Sequence, residues 1–189
     1  MIQIILASSS PRRKEILDLV GIKCKIIPSD KEEITTREDP EDIVKELALM
    51  KALDVASKVN EPAVIIGADT IVAHKYKVMG KPKDKEDAIR MIEALQNDTH
   101  QVFTGVAIVT PNKVLNFACE TSVVVSPMTQ KEIINYVSSG EPMDKAGAYG
   151  IQGKFALFIK EIIGDYYNVM GLPINKIYET LINEGILVE

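Results

Sequence analysis

Two short and almost continuous apolar runs, at 2–7 and 63–68, predict buried strands of a sheet. Between and after these runs, apolar residues recur at helical spacing behind a start signal. The start signals are Pro11, Pro40 and Asp84, and the helical stripes behind them extend to about residues 19, 53 and 95. The first half of the chain is therefore predicted to alternate strands with helices.

The periodicity changes after residue 100. Two β-rich segments, 101–109 and 114–125, predict a long antiparallel hairpin. A capping box at Thr129 predicts a helix that ends near Gly140. The stretch from Gly140 to Gly171 carries 6 of the 11 glycines, so we expect it to hold loops around a site. The remaining predicted elements are a strand at 157–163 and a last helix from Pro173 to Gly185.

The first predicted helix starts in an unusual electrostatic setting. Ser10 and Pro11 are a favourable start, and the Ser10 hydroxyl is expected to cap free backbone N–H groups. Arg12 and Arg13 nevertheless place cations at the positive end of the helix dipole. An anion bound there, with help from the Ser8 hydroxyl, would remove this penalty and favours a phosphate site. A solvated basic turn is the alternative.

Asp69 follows five apolar or backbone-only residues, so we expect a carboxylate at the end of a buried strand. Ligands of α/β proteins bind at strand ends. A carboxylate held there can bind a divalent cation or take a proton from water. The alternative is an aspartate that caps the backbone of the turn after the strand.

Other charged residues extend this prediction. A polar loop at 29–39 supplies the carboxylate of Glu33, while Lys51 and Lys81 supply cations. Carboxylates beside basic residues, without a histidine cluster, suit a magnesium ion that bridges phosphate oxygens. Taken singly, each of these side chains also fits an ordinary solvated surface charge.

Small residues dominate the segment 144–153. They would let the backbone approach a ligand closely, and the amide of Gln152 matches one donor and one acceptor on a pyrimidine edge. A flexible linker is the alternative, although Tyr149 and the lack of serine argue against it.

Composition narrows the class of protein. The chain has 189 residues, of which 46% are hydrophobic and 26% charged, so we expect one globular domain over 1–189. The net charge of -5 argues against nucleic acid as the main partner. Two distant cysteines and two histidines indicate neither a zinc site nor a disulfide framework. The N-terminal apolar run is too short for a signal peptide or a membrane span, so we expect a cytoplasmic protein without membrane contact.

Motifs across almost the whole chain resemble the Maf family, whose members are described as septum-formation proteins and as nucleoside triphosphate pyrophosphatases. The motifs are Ala7-Ser8-x-Ser10-Pro11-Arg12-Arg13-x-Glu15, Gly67-Ala68-Asp69-Thr70, Lys81-Pro82, Thr104-Gly105, the segment 144–153, Gly164-Asp165-Tyr166 and Val169-x-Gly171-Leu172-Pro173.

The resemblance implies an α/β fold with a mixed sheet flanked by helices, in two lobes around a central groove, similar to inosine triphosphate pyrophosphatases. It also implies a homodimer that uses a divalent cation, Mg²⁺ or Mn²⁺, with Glu33 and Asp69 as metal ligands. Asp69 stands at the position of the family's proton acceptor. Arg12, Thr70 and Gln152 match the branch that acts on dTTP and UTP, whereas the branch that acts on 7-methyl-GTP carries tryptophan, glutamine and glutamate there.

The resulting hypothesis is a pyrophosphatase that prevents incorporation of unwanted nucleotides. Phosphates would lie against Ser8, Arg12 and Arg13 with Lys51 and Lys81 opposite, and water activated by Asp69 would attack the α-phosphorus. Modified pyrimidine nucleotides are a further possible substrate class. The alternative from a different class is a nucleotide-binding regulator of cell division with little or no catalysis.

Overall fold

A computed structural model describes residues 2–187. Seven strands lie within this range, and the first three are separated by two helices. In chain order the elements of the first half are β1 (Gln3–Leu6), α1 (Pro11–Leu19), β2 (Lys25–Ile26), α2 (Pro40–Ala56), β3 (Ala63–His74), β4 (Lys77–Met79) and α3 (Lys85–Leu95).

The second half begins with two long strands. Its elements are β5 (Thr99–Val109), β6 (Val114–Val125), α4 (Gln130–Ser138), β7 (Ile159–Ile163), α5 (Tyr166–Met170) and α6 (Ile174–Asn183). Three short 3-10 helices lie between α4 and β7, at Glu141–Asp144, Ala146–Ala148 and Lys154–Phe158.

The strands form one mixed sheet in the order β2-β1-β3-β5-β6-β7, and β4 pairs with β3. β1 runs parallel to β2 and β3, with Leu6 opposite Ile66. β4 is antiparallel to β3, and β7 is antiparallel to β6. Helices flank this sheet, so the predicted fold class is confirmed.

Two compact units can be distinguished along the chain. The first comprises the described residues up to Asp69, together with Thr104–Cys119 and the chain from Gly171 onward. Its core joins α2 to β1, β3 and β5 through small and branched side chains. The buried core residues are Ile5, Ala7, Ala48, Ala52, Val55, Ala63, Ile65, Ala107 and Val109.

The second unit comprises Thr70–Phe103 and Glu120–Met170. In it α3 contacts α4 and the 3-10 helix at Ala146–Ala148. Phe155 is fully buried, with ring centroids of Tyr136 and Tyr149 at 5.0 and 4.8 Å. This aromatic cluster fixes part of the stretch whose glycines predict loops.

The bounds of α1 agree with the prediction, whereas β4, α5 and the 3-10 helices were not predicted. The expectation of loops in 140–171 outside the predicted strand at 157–163 is therefore wrong in part. These elements are three to five residues long, too short for a hydrophobic period to become visible in sequence. Among the residues that the structure describes, no helix is long and apolar enough to cross a membrane.

Candidate active site

Two glycines bring the backbone of α2 into contact with the sheet. A Cβ atom on Gly67 of β3 would lie 2.3 Å from the carbonyl oxygen of Ala48. A Cβ atom on Gly105 of β5 would lie 2.1 Å from the carbonyl oxygen of Val44. Any side chain at either position would push the helix away, so the two glycines set the distance between α2 and the strands.

Asp69 faces α2 because side chains two residues apart on a strand share a face, and Gly67 already contacts this helix. Lys51 of α2 meets the carboxylate, with 2.6 Å between Nζ and Asp69 Oδ1. The same Nζ lies 2.7 Å from Oε1 of Glu33. The side chains of Lys51 and Asp69 are 11% and 9% exposed, whereas that of Glu33 is 56% exposed. One ammonium group therefore links a buried carboxylate to an exposed one.

The position of Asp69 differs from the predicted strand end. β3 continues to His74, because β4 pairs with it from Val72 onward. The parallel pairing with β1 does stop earlier, at Ile66. Asp69 thus lies inside a strand, and the alternative in which it caps a turn after the strand is wrong.

Ser8 lies at the junction of β1 and α1. Its hydroxyl oxygen accepts hydrogen bonds from the backbone N–H of Ser10, at 3.2 Å, and from Nη1 of Arg13, at 3.0 Å. Ser10, by contrast, makes no side-chain cap hydrogen bond, so its predicted capping role is wrong. Ser8 accepts the local hydrogen bonds instead.

Arg13 connects three parts of the first unit. Its Nη1 donates to the carbonyl of Ala68 and its Nε to the carbonyl of Gly171, each at 2.8 Å. Burial lowers the pKa of the Arg13 guanidinium, an effect opposed by the nearby carboxylates of Asp69 and Glu33. Arg13 therefore holds the start of α1 beside Asp69, and its contact with a phosphate stays a prediction.

The loop at 29–39 is attached to α2 at three places. Asp54 accepts hydrogen bonds from the Ser29 hydroxyl, at 2.8 Å, and from the backbone N–H of Asp30, at 3.1 Å. The hydrogen bond from Lys58 Nζ, together with those from Ser29 and Asp30, lowers the pKa of Asp54 to about 2. Glu33 contacts Lys51 in the middle of the loop, and Thr35 donates to Glu46 near its end. The loop is thus anchored on both sides of Glu33.

Three other predicted site residues belong to the second unit. Thr70 is half-buried on β3, whereas Lys81 and Gln152 are exposed. Gly147 connects their segments, because its backbone N–H donates to the carbonyl of Gly80 at 3.0 Å. A Cβ atom on Gly147 would also lie within 3.0 Å of the Val72 side chain.

The structure therefore brings together all six predicted site residues of the first unit. Hydrogen bonds, ion pairs and the electrostatics of Arg13 connect Ser8, Arg12, Arg13, Glu33, Lys51 and Asp69. The roles assigned to these side chains, and to Thr70, Lys81 and Gln152, stay predictions.

The carboxylates of Glu33 and Asp69 fit a magnesium ion that substrate phosphates and water also bind. Within residues 2–187, no group of three or more His, Cys, Asp or Glu side chains could hold a metal ion. Both carboxylates nevertheless converge on one positive charge, with oxygens 2.7 and 2.6 Å from the Lys51 nitrogen. Magnesium is commonly held by one or two carboxylates together with substrate phosphates and water. The residues fit a cation shared with a substrate.

Sequence reasoning missed the residues that anchor the 29–39 loop and the segment around Gln152. Asp54 and Glu46 hold the 29–39 loop, and Glu141 accepts a hydrogen bond from the backbone N–H of Lys154, two residues after Gln152. It also missed His100, which is fully buried with Nε2 2.7 Å from the Tyr149 hydroxyl. Burial lowers the pKa of His100 to about 4. The side chains joined in these contacts are distant in sequence, so no local signal marked them.

The fold has a solved counterpart. The superposition on the structure of the Staphylococcus aureus Ham1 protein covers 96% of this chain and 99% of the Ham1 chain. The TM-score is 0.52 and the sequence identity is 16%. This likeness supports the fold class alone.

Residues 3–184 match the family of Maf-like proteins, and the chain belongs to this family. The similarity stated from the motifs is therefore confirmed.

Curated relatives extend over nearly the whole chain. A protein of Bacillus pumilus is 51% identical over 187 residues, covering 98% of both chains. One of Lachnoclostridium phytofermentans is 47% identical over 191 residues, covering 98% of this chain and 97% of the relative. One of Bacillus anthracis is 48% identical over 182 residues, covering 96% and 95%. All three are named dTTP/UTP pyrophosphatase.

Proposed function

We propose that this chain is a nucleoside triphosphate pyrophosphatase that hydrolyses dTTP and UTP to the monophosphate and pyrophosphate. Relatives of this name that are 47–51% identical over nearly the full length support the reaction and the substrates. The structural observation that carries the proposal is the contact of Lys51 with Glu33 and Asp69, beside Arg12 and Arg13. The positive side chains of this cluster can bind phosphate oxygens, and the carboxylate of Asp69 can accept a proton from water.

In the proposed mechanism, the triphosphate binds at the start of α1 to Ser8, Arg12 and Arg13. Its oxygens compete with the two carboxylates for the Lys51 ammonium group, and the exposed Glu33 side chain is the easier one to displace. Asp69 then orients a water molecule and accepts its proton. The water oxygen bonds to the α-phosphorus, the bond from this phosphorus to the bridging oxygen breaks, and pyrophosphate leaves.

We further propose that Glu33 and Asp69 bind Mg²⁺ or Mn²⁺ when substrate is present. A bound cation would neutralise charge on the phosphate oxygens. The convergence of both carboxylates on one positive charge supports this assignment. The prediction is that turnover requires added divalent cation and that Glu33→Gln raises the cation concentration needed for half-maximal rate.

Thr70 and Gln152 are proposed to contact the base, and Lys81 the phosphates. An amide offers both a donor and an acceptor, which matches O4 and N3–H of uracil or thymine. Gln152→Glu replaces the amide donor by a charged acceptor, so we expect weaker discrimination between UTP and CTP. An unchanged substrate profile in this variant would remove Gln152 from the base site.

Product identity tests the proposed reaction. The purified protein is given dTTP, UTP, CTP, the purine triphosphates and 7-methyl-GTP in parallel, with Mg²⁺ or Mn²⁺, and products are separated by ion-exchange chromatography. Monophosphate and pyrophosphate from dTTP and UTP are the expected products. Diphosphate and orthophosphate would mean that water attacks a different phosphorus.

Asp69→Asn is the matched variant for this assay. The amide keeps the size of the side chain but cannot accept the water proton as a carboxylate does, so turnover is expected to fall by about 100-fold or more. Binding of dTTP, measured by calorimetry, should persist. Wild-type turnover in Asp69→Asn would contradict the assigned role, and binding by the wild-type protein without turnover would favour the regulator of cell division.

We also propose that the protein acts in the cytoplasm as a homodimer without nucleic acid or membrane partners. The net charge of -5 supports the exclusion of nucleic acid. Light scattering coupled to size-exclusion chromatography tests the dimer, since a monomeric mass would contradict it.

A further inference from the structure

The side chain of Gln152 projects from a tight turn. The turn spans Gly150 to Gly153 and is closed by a hydrogen bond of 3.3 Å from the Gly153 N–H to the Gly150 carbonyl. Gln152 is exposed, whereas Ile151 beside it is buried at 8% exposure. The turn therefore presents the amide outward while its neighbour packs inward.

Two side chains lie directly beneath the glycines: that of Glu141, the first residue of the 3-10 helix Glu141–Asp144, and that of Lys145, which follows this helix. A Cβ atom on Gly150 would lie 2.7 Å from Cε of Lys145. A Cβ atom on Gly153 would lie 2.2 Å from Oε1 of Glu141. The absence of side chains at the two ends of the turn thus allows it to rest on Lys145 and Glu141.

Glu141 makes hydrogen bonds with the chain on both sides of the turn. Its Oε2 accepts from the backbone N–H of Lys154 at 3.0 Å, and its Oε1 accepts from the Tyr136 hydroxyl at 3.3 Å. Its backbone carbonyl accepts from Lys145 Nζ at 2.7 Å. The Tyr136 hydroxyl in turn interacts with the backbone of Gly150. One glutamate therefore holds the end of the turn directly and its start through Tyr136 and Lys145.

We infer that Glu141 is a positioning residue that sets base discrimination by fixing the turn that carries Gln152. The inference rests on the proposed function, because Gln152 is the proposed base contact. A base hydrogen bond depends on amide placement to within a fraction of an ångström. Loss of the Glu141 carboxylate frees the Lys154 N–H and opens space beneath Gly153, so the amide is no longer held in one place.

The expected effect is on selectivity and KM, with the chemical step little changed. In Glu141→Ala, KM for UTP should rise and kcat should stay within about twofold, since Asp69 is untouched. Cytosine presents a donor where uracil presents an acceptor, so CTP gains nothing from the wild-type amide placement. The ratio of kcat/KM for UTP over CTP should therefore fall by about tenfold, the usual size of one lost hydrogen bond.

Matched variants separate positioning from folding. Glu141→Gln keeps an acceptor oxygen for one of the two hydrogen bonds and should retain part of the UTP preference. Glu93→Ala removes an exposed glutamate from α3 in the same unit and should leave the ratio unchanged. An equal loss for UTP and CTP in Glu141→Ala, with a lower melting temperature and an unchanged ratio, would overturn the inference.

Gly153→Ala supplies a second and independent test. The backbone of Gly153, at φ -101° and ψ -152°, is open to alanine, so the added methyl group conflicts mainly with the Glu141 carboxylate. Gly153→Ala alone should lower the UTP preference. Added to Glu141→Ala, which removes the conflicting atoms, it should cause no further loss. Losses that multiply in the double variant would overturn the inference.

Failure of the proposed function can be told apart from failure of this inference. Dissociation constants for UTP and CTP are measured by calorimetry for the wild-type protein and each variant, alongside turnover. Absence of pyrophosphate release by the wild-type protein would reject the proposed reaction, and the ratio of dissociation constants would still report on the turn. An unchanged ratio in Glu141→Ala and Gly153→Ala would reject the role of Glu141 whichever reaction occurs.

Discussion

The buried contact between Lys51 and Asp69 leads to a quantitative prediction for stability. The two charged groups are 2.6 Å apart and their side chains are 11% and 9% exposed. At an effective dielectric constant of about 20, the direct attraction at this distance is about 6 kcal/mol. The cost of removing both groups from water offsets part of it. Loss of one partner alone leaves a buried charge unpaired, so Lys51→Met should lower the free energy of unfolding by about 3 kcal/mol.

A double-mutant cycle isolates the pair. Lys51→Met, Asp69→Asn and the double variant are unfolded in urea at pH 7, and each free energy of unfolding is obtained by linear extrapolation. Circular dichroism and the fluorescence of the 6 tyrosines report the transition, and the two probes must coincide because the chain has two compact units. The expected coupling free energy is about 2–3 kcal/mol.

The Lys14–Asp18 pair on α1 is the control. It joins residues one helical turn apart whose side chains are 44% and 52% exposed, so solvent screens it. Its coupling free energy should be indistinguishable from zero within the error of the cycle. A coupling for Lys51 and Asp69 as small as this would refute the reasoning, because the two groups could not then form a tight buried pair.

Three further predictions concern other parts of the fold. His100 has a folded pKa of about 4, below its ordinary value of 6.5, so the unfolded chain binds this proton first as the pH falls. Stability should therefore decrease between pH 6.5 and 4, by about 3 kcal/mol at most, and His100→Phe should flatten this part of the urea-midpoint profile. Gly105→Ala places a Cβ atom 2.1 Å from the Val44 carbonyl and should lower the free energy of unfolding by about 2 kcal/mol, whereas Gly80→Ala, with nothing within 4 Å, should change it by less than about 0.5 kcal/mol. Asp54→Ala removes the acceptor of Ser29 and Asp30, so trypsin should cut after Lys31 faster than in the wild type, whereas cleavage after Arg37, beyond the Thr35–Glu46 contact, should change little; equal cleavage rates after Lys31 on a gel would contradict the anchoring role.

Local signals in the sequence predict much of the fold. Pro11 and Gly21 bracket α1, and the first turn after Asp39 carries the acids that a helix start favours, so both helices begin where predicted. The apolar run before Asp69 correctly indicates a buried strand. Each of these features depends on neighbours in sequence, which is why the pattern alone identifies them.

The contacts that arrange the site depend on tertiary structure. Lys51 meets Asp69 because Gly67 and Gly105 let α2 approach the sheet, and neither glycine stands next to the lysine in sequence. Ser10 looks like a capping residue, yet the adjacent Ser8 takes the hydrogen bonds because Arg13 reaches it from α1. Glu141 is an ordinary surface glutamate by composition and acquires its role only when Gly153 is folded against it.

The attachments of the 29–39 loop on either side of Glu33 limit how many residues a substrate has to order. Asp54 holds Asp30 and Glu46 holds Thr35, so displacement of Glu33 from Lys51 releases only residues 31–34. Ordering a residue costs about 1–2 kcal/mol of conformational entropy, and a loop anchored on both sides of Glu33 has few residues to reorder. Binding and release can then occur by a local rearrangement on the timescale of loop motion, with no need for the helix beneath to move.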